Sequence, residues 1–221
     1  MSFEKISVVL SKYIPGSAVD ICANWIIQKN IHVKLTRGRA SKFGDYMPLP
    51  HGQGHRITVN HDLNKYAFLI TFIHEVAHLE TFNKFKRNVD PHGKEWKNEF
   101  RVLLSDFVQR GIFPDDIRQA VSDYMINPAA SSCSDHNLLR ILRKYDERNI
   151  EIIHLEDLPH DAVFQLHQSR AGQIFKKGHR IRKRFQCMEV KSNRLYLVSP
   201  LAEVLVVNNE SFGEKLRTRN E

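Results

Sequence analysis

The apolar positions of this chain change texture near residue 150. Up to there, helical spacing dominates. IPGSAVDICANWIIQ predicts a helix, with Val19, Cys22, Ile26 and Ile27 on one face and Ser17 as N-cap, three residues before Asp20. IHVKLT alternates and reads as a strand. RGRASKFGDY reads as a second strand entered through Gly38, PLPHGQG as a loop, and HRITVN as a third strand. YAFLITFIHEVAHLETF is too long and too continuously apolar for a strand and predicts a buried helix, which NVDPHG breaks. KEWKNEFRVLLSDFVQRG is amphipathic and closes at Gly111. Two further helices follow, from Pro114 to Met125 and from Asp135 to Tyr145, the latter capped by Ser134. Beyond Glu151 the pattern turns to short alternating runs such as RLYLV and EVLVV, with Gly172 and Gly178 at turns. The expectation is an α+β chain in three parts: a domain over 1–127, a helical connector over 128–160 and a small β-rich basic lobe over 161–221.

Composition narrows the classes. Of 221 residues, 42% are hydrophobic, enough for a real core and too many for wholesale disorder. The longest apolar stretch, Tyr66 to Leu79, is too short to span a bilayer and carries His74, Glu75 and His78, so no membrane partner is expected. The first residues, MSFEKISVVLSK, do not read as a secretory signal. Cys22, Cys133 and Cys187 are odd in number and far apart, which argues against a disulfide framework and for a reducing cytoplasm, where a nucleoid association is compatible with the charge. The net charge is +8, and seven Lys or Arg with no acid lie between Arg170 and Arg184. The basicity is therefore local.

The chemistry centres on IHEVAHLETF. On a helix, His74 and His78 lie one turn apart on the same face and can direct two imidazole nitrogens at one ion. Glu75 is one residue round, placed to serve as a general base. This is the H-E-x-x-H arrangement of zinc peptidases. A buried glutamate without a partner costs several kcal/mol, an objection that a divalent ion removes. A catalytic zinc needs a third protein ligand and an open position. The metzincin spacing is ruled out by Thr81 and Lys84. Two third ligands remain open: Glu99 on the following helix, or His92 in PHGKEW, with Gly93 permitting close backbone approach and Trp96 walling the site.

HEVAHLETFNKF followed by DPHGKEWKNEF resembles the SprT-like family of zinc metalloproteases, to which the eukaryotic Spartan proteases belong. RASKFGDY, HRITVN and Leu63 are similar to the family's R-x-S-x-x-G and I-x-x-N-x-x-L run, so the likeness covers about residues 10 to 145. It implies a zincin-like metalloprotease domain and selects His92 over Glu99. The expected site is then one zinc on His74, His78 and His92, with Glu75 as catalytic base. The ion would polarise the substrate carbonyl and acidify water, and Glu75 would carry a proton from that water to the leaving amine. The strand Arg56 to Asn60 is expected to hold an extended substrate by strand addition. The sequence reveals no second oxyanion stabiliser; Tyr46 and Arg39 read as structural strand and loop residues, and His51, His55 and His61 as loop or surface histidines.

Many SprT-like proteins follow this domain with a zinc ribbon on two CxxC knuckles. This chain has no CxxC, yet FQLHQS and FQCMEV echo one another where knuckles belong, with Leu166, Ser169, Cys187 and Val190 at the ligand positions. Such a degenerate ribbon must rely on an apolar core. Within GHRIRKRFQC, alternation predicts a strand with Ile181, Phe185 and Cys187 on one face and Arg180, Arg182 and Arg184 on the other. With Lys176, Lys177 and Lys183, this is the candidate nucleic-acid surface, suited to phosphates and sequence-independent. The expected partners are a protein substrate and DNA. Two alternatives stand beside this reading: a non-catalytic nucleic-acid-binding protein with a structural zinc, and a metallopeptidase with no nucleic-acid role.

Overall fold

The structure, a computed structural model, describes residues 2–38, 42–128, 135–146, 153–167 and 172–207. Arg39, Cys133, Ser134, Ser169 and Arg170, all singled out above, and Ser41 of the RASKFGDY run lie outside them. The chain is α+β and divides into two compact units, 1–147 and 148–221.

In the first unit, helix α1 (Phe3–Leu10) and helix α2 (Val19–Gln28) precede a three-stranded sheet of β1 (Ile31–Thr36), β2 (Gly44–Pro48) and β3 (His55–Asn60). Helices α3 (Lys65–Phe85), α4 (Lys94–Gln109), α5 (Asp115–Ile126) and α6 (His136–Arg143) follow. Strands β1 and β3 match their expected runs residue for residue, whereas β2 starts later than expected. Helix α1 was not foreseen. It buries only Ile6 and Leu10 and leaves Val8 and Val9 exposed, a poor amphipathic signal. Ser17 does not cap α2; it lies in a 3₁₀ turn over Gly16–Ala18, and the N-cap is Ala18.

Helix α3 is the centre of this unit. It is buried nearly all round, from Ala67 to Leu79, as its continuous apolar run demands. The Asn64 side chain caps it, accepting from the backbone N–H of Tyr66 and Ala67 at 3.1 and 3.0 Å, and donates to Leu142 O and to Asp146 Oδ1. Leu138 and Leu142 of α6 complete the same core. The N-cap of α6 is Asp135, whose carboxylate accepts from Leu138 N at 2.8 Å.

The sheet order is β1-β3-β2, with β3 parallel to β1 and antiparallel to β2. The central position of β3 corrects the expectation that it adds a substrate strand, because both its edges are taken. Among the described residues, strand β2 is paired on one side only. Its pairing with β3 is bracketed by Asn60 N to Phe43 O at 2.8 Å and Leu49 N to Gly54 O at 2.9 Å. Odd-numbered residues therefore bond to β3, and the backbone groups of Gly44 and Tyr46 point to the open edge.

The second unit is one six-stranded sheet of β4 (Ile153–His154), β5 (Val163–Leu166), β6 (Ile174–Ile181), β7 (Arg184–Glu189), β8 (Leu195–Val198) and β9 (Glu203–Val206), in the order β4-β9-β5-β6-β7-β8. Its small core includes Leu155, Phe164, Phe175, Cys187, Val198 and Val204. Cys187 and Leu166, at the echoed knuckle positions, are packed in or against that core. The described residues of the expected connector over 128–160 divide between the two units: α6 joins the first core, and β4 pairs with β9. Gly178 is not a turn residue either. It lies within β6 at a register shift, where a Cβ would meet Gln186 O at 2.5 Å.

Candidate metal centre

Three elements of the site follow from local sequence. Helical spacing stacks His74 and His78 on α3. After α3 ends, a turn carries His92 back, its φ of 61° placing the backbone in the left-handed region. Gly93 N then bonds Asp90 O at 2.9 Å, a turn so tight that a Cβ on Gly93 would lie 3.0 Å from that oxygen. Helix α4 begins directly afterwards, and its Trp96 lies against all three imidazoles, with ring centroids 4.5, 5.3 and 4.7 Å from His74, His78 and His92. The indole Nε1 donates to His74 O at 3.4 Å, and Phe100 stacks behind it.

The Nε2 atom of His92 is 3.2 Å from Nε2 of His74 and 2.9 Å from Nε2 of His78. One ring N–H can serve only one of these neighbours, so the three nitrogens cannot satisfy one another. Ligands about 2.0–2.1 Å from a tetrahedral ion lie about 3.3–3.4 Å apart, close to what is seen. The three histidines form a group that can hold a metal ion. Their electrostatics agree. Burial, reinforced by the neighbouring imidazoles, holds His74 well below the ordinary histidine range and pulls His78 down to about 3. Burial also lowers His92. All three rings are thus neutral near pH 7, the form that ligates. With Nε2 turned to the shared centre, the proton of His74 sits on Nδ1, which is buried without a hydrogen-bond partner among the described residues.

Glu99, the alternative third ligand, is elsewhere: its carboxylate accepts from Lys84 Nζ at 2.7 Å. Glu75 is 5% exposed. Its carboxylate lies under the first residue of β2, where a Cβ on Gly44 would be 2.5 Å from Glu75 Oε1 and 2.8 Å from Thr71 Cγ2. Only glycine lets the strand come this close. Asn60 holds the approach, donating from Nδ2 to Lys42 O at 3.2 Å and from its backbone N–H to Phe43 O. Neither role was read from the sequence, although both residues belong to the blocks that carry the family resemblance.

Tyr46 stands beside the centre. Its ring is nearly parallel to His78, with centroids 6.3 Å apart, and its hydroxyl is 3.0 Å from His55 Nδ1. Burial, with the Glu80 carboxylate nearby, raises the Tyr46 pKa and keeps the phenol protonated. His55 is therefore no mere loop residue; it opens β3 and orients Tyr46.

The basic surface differs from expectation. The run from Arg180 to Arg184 is not one strand: β6 ends at Ile181, Arg182 and Lys183 form a two-residue turn, and β7 starts at Arg184. Arg182 takes a φ of 53° without being glycine or asparagine, so no turn signal marked it. Arg180, Arg182, Lys183 and Arg184 are all exposed at this hairpin tip. Lys177 is not on the surface. It is 5% exposed, and its ammonium donates to Glu156 O at 3.2 Å and to Leu158 O, over the face of Phe185. Lys176 is half-buried and paired with Asp161 at 3.0 Å. Lys177 therefore leaves the candidate nucleic-acid set.

No helix among the described residues is long and apolar enough to cross a membrane. Family models, curated proteins and solved structures yield no match to this chain.

Proposed function

We propose that the chain is a single-zinc metalloprotease of the SprT-like type, acting on protein substrates associated with DNA. The observation that carries this reading is the convergence of three neutral imidazole nitrogens, with the Glu75 carboxylate buried under Gly44 at a strand edge that is unpaired among the described residues. Three nitrogen donors suit zinc. A structural zinc is closed by a fourth protein ligand, and among the described residues the group comprises His74, His78 and His92 alone. The arrangement thus favours catalysis over the structural-zinc alternative.

When bound, the ion supplies Lewis acidity, polarising a carbonyl and making water acidic. The protein's own residues do the rest. Glu75 accepts the proton of the attacking water and returns it to the leaving amine. An extended substrate adds to β2, pairing with the outward N–H and C=O groups of Gly44 and Tyr46. Trp96 and Phe100 exclude water from behind the ligands. The DNA association rests on the exposed hairpin tip, whose four cations suit a phosphate backbone.

The test is proteolysis of a DNA-bound protein, with and without DNA, by wild type and Glu75→Gln. Wild type should cleave, more so with DNA, and the amide variant should keep its metal and lose at least ~10²–10⁴-fold in rate. Turnover of Glu75→Gln at the wild-type rate would remove Glu75 from the mechanism. Cleavage indifferent to DNA would leave the peptidase without a nucleic-acid role.

A further inference from the structure

One cavity lies next to the metal centre and takes no part in the chemistry above. It has a volume of about 530 Å³ and is walled by Pro48, Leu49 and Pro50, where β2 ends, and by Phe82 on α3. Among the described residues, its charged lining residues are Lys86 and Arg87, both exposed. Phe82 is one helical turn beyond His78, about 6 Å along the axis. Two residues of extended peptide span about the same length. A strand laid along β2 would therefore present a side chain within two or so residues of the scissile bond to this cavity.

The end of α3 has a further peculiarity. Lys86 adopts φ 57° and ψ −129°, a conformation that glycine takes at far lower cost. Its side chain turns back so that Nζ lies 5.3 Å from the Phe82 ring centroid, beside the apolar wall. An unfavourable backbone thus holds a cation at the rim of an apolar cleft.

We infer that this cavity is a substrate subsite for an acidic side chain, with glutamate the best fit: its methylenes lie on Pro48, Leu49 and Phe82, and its carboxylate meets Lys86 and Arg87. The inference rests on the reading of β2 as the substrate edge. A nucleic-acid phosphate offers the same charge, but the mostly apolar walls and the continuity with β2 favour a peptide.

The experiment measures binding, so it does not require turnover. Zinc-loaded, full-length Glu75→Gln is titrated into fluorescein-labelled decapeptides in which one glutamate is scanned through the positions, each matched to its glutamine counterpart. At one position glutamate should bind about tenfold or more tightly than glutamine, the scale of a charge-assisted hydrogen bond. Adding Lys86→Gln and Arg87→Gln should abolish that advantage while leaving the glutamine peptides unchanged; both positions are exposed, and unchanged zinc content and circular dichroism verify the fold. No preference at any position, or one that survives the double change, overturns the subsite. So does a double variant that loses affinity for a single-stranded decanucleotide and not for the peptides. Wild-type cleavage of the same peptides separates the two readings. Cleavage indifferent to glutamate leaves the protease standing and removes the subsite. Glutamate-selective binding with no cleavage by wild type does the reverse.

Discussion

The first unit buries His74 and Glu75 on α3, and the second buries Lys177 on β6. The two burials are resolved in different ways. Lys177 finds its acceptors inside the protein, in the carbonyls of Glu156 and Leu158, with the Phe185 ring 4.3 Å from its ammonium. Burial lowers its pKa, yet its donors are used. In the first unit three ring nitrogens face one another, and His74 Nδ1 has no hydrogen-bond partner among the described residues. A buried ionisable group that the fold itself satisfies is part of the scaffold. A buried set whose polar atoms converge without satisfying one another asks for something from outside. The second unit keeps its uncompensated charge at the surface instead, on the hairpin tip.

The largest effect should come from removing a ligand. His74→Ala, His78→Ala and His92→Ala should each cost about 100-fold or more in zinc affinity, leaving the chain metal-free after dialysis against a weak chelator, whereas Glu75→Gln retains about one zinc per chain. Metal analysis decides this. If His92→Ala keeps its zinc and Glu99→Ala loses it, the three-histidine set is wrong.

Changing Arg180, Arg182 and Arg184 together to Gln tests the other side of the contrast. Surface charges should be removable without harm to folding or zinc content. The slope of log affinity for duplex DNA against log salt should become shallower by about two to three units, near 0.9 per lost contact. An unchanged slope in a salt titration would leave the hairpin tip as a merely solvated loop.

Lys177→Met should act on stability alone. It keeps the hydrophobic stem but leaves two carbonyls short of a donor, at a cost of about 1–3 kcal/mol. Denaturant unfolding should report this loss, with zinc content unchanged. A loss of zinc would refute the assignment of Lys177 to the scaffold.

The last test is a pH slope. With the metal stripped, the buried histidines are neutral in the folded state, while in the unfolded chain they bind protons below about 6.5. The unfolded state therefore takes up more protons as pH falls, and stability present above 6.5 is lost between there and the folded value, about 3 for His78. The slope should be at most about 1.4 kcal/mol per pH unit for each such ring. Zinc should not remove it and should carry it to lower pH, because the ion keeps the folded rings unprotonated while the unfolded chain still takes up protons. A metal-stripped protein whose unfolding free energy is level from pH 7 to 5 would contradict the burial of these rings.

The pairing of His74 with His78, and the place of Glu75 beside them, was legible because it is local: a helix puts positions four apart on one face whatever surrounds it. The burial of α3 was equally legible, since its apolar residues leave no polar face. Strands β1 and β3 could be read to the residue from their alternation and flanking turn residues. What failed were inferences about partners. Alternation through Arg180, Arg182 and Arg184 suggested one strand, but the same alternation persists when a chain folds back on a turn that no glycine or asparagine announces. Lys177 looked like one more surface cation because composition does not say which face of a strand is covered.

Which edge of the sheet stays open, which glycine lets a strand settle over Glu75, and which distant residue arrives as the third nitrogen are decided by pairing and packing across the whole unit. Strand β3 could be recognised in one dimension, but its central position depends on two other strands choosing it. The sequence by itself determined the two-histidine bite and the helix that carries it, because spacing along a helix is fixed by backbone geometry. The family resemblance pointed to His92 and the tertiary structure brings it to them; the tertiary structure alone decided that Gly44 admits β2 over Glu75 and that Lys177 is internal, because these depend on contacts between residues that backbone periodicity does not relate.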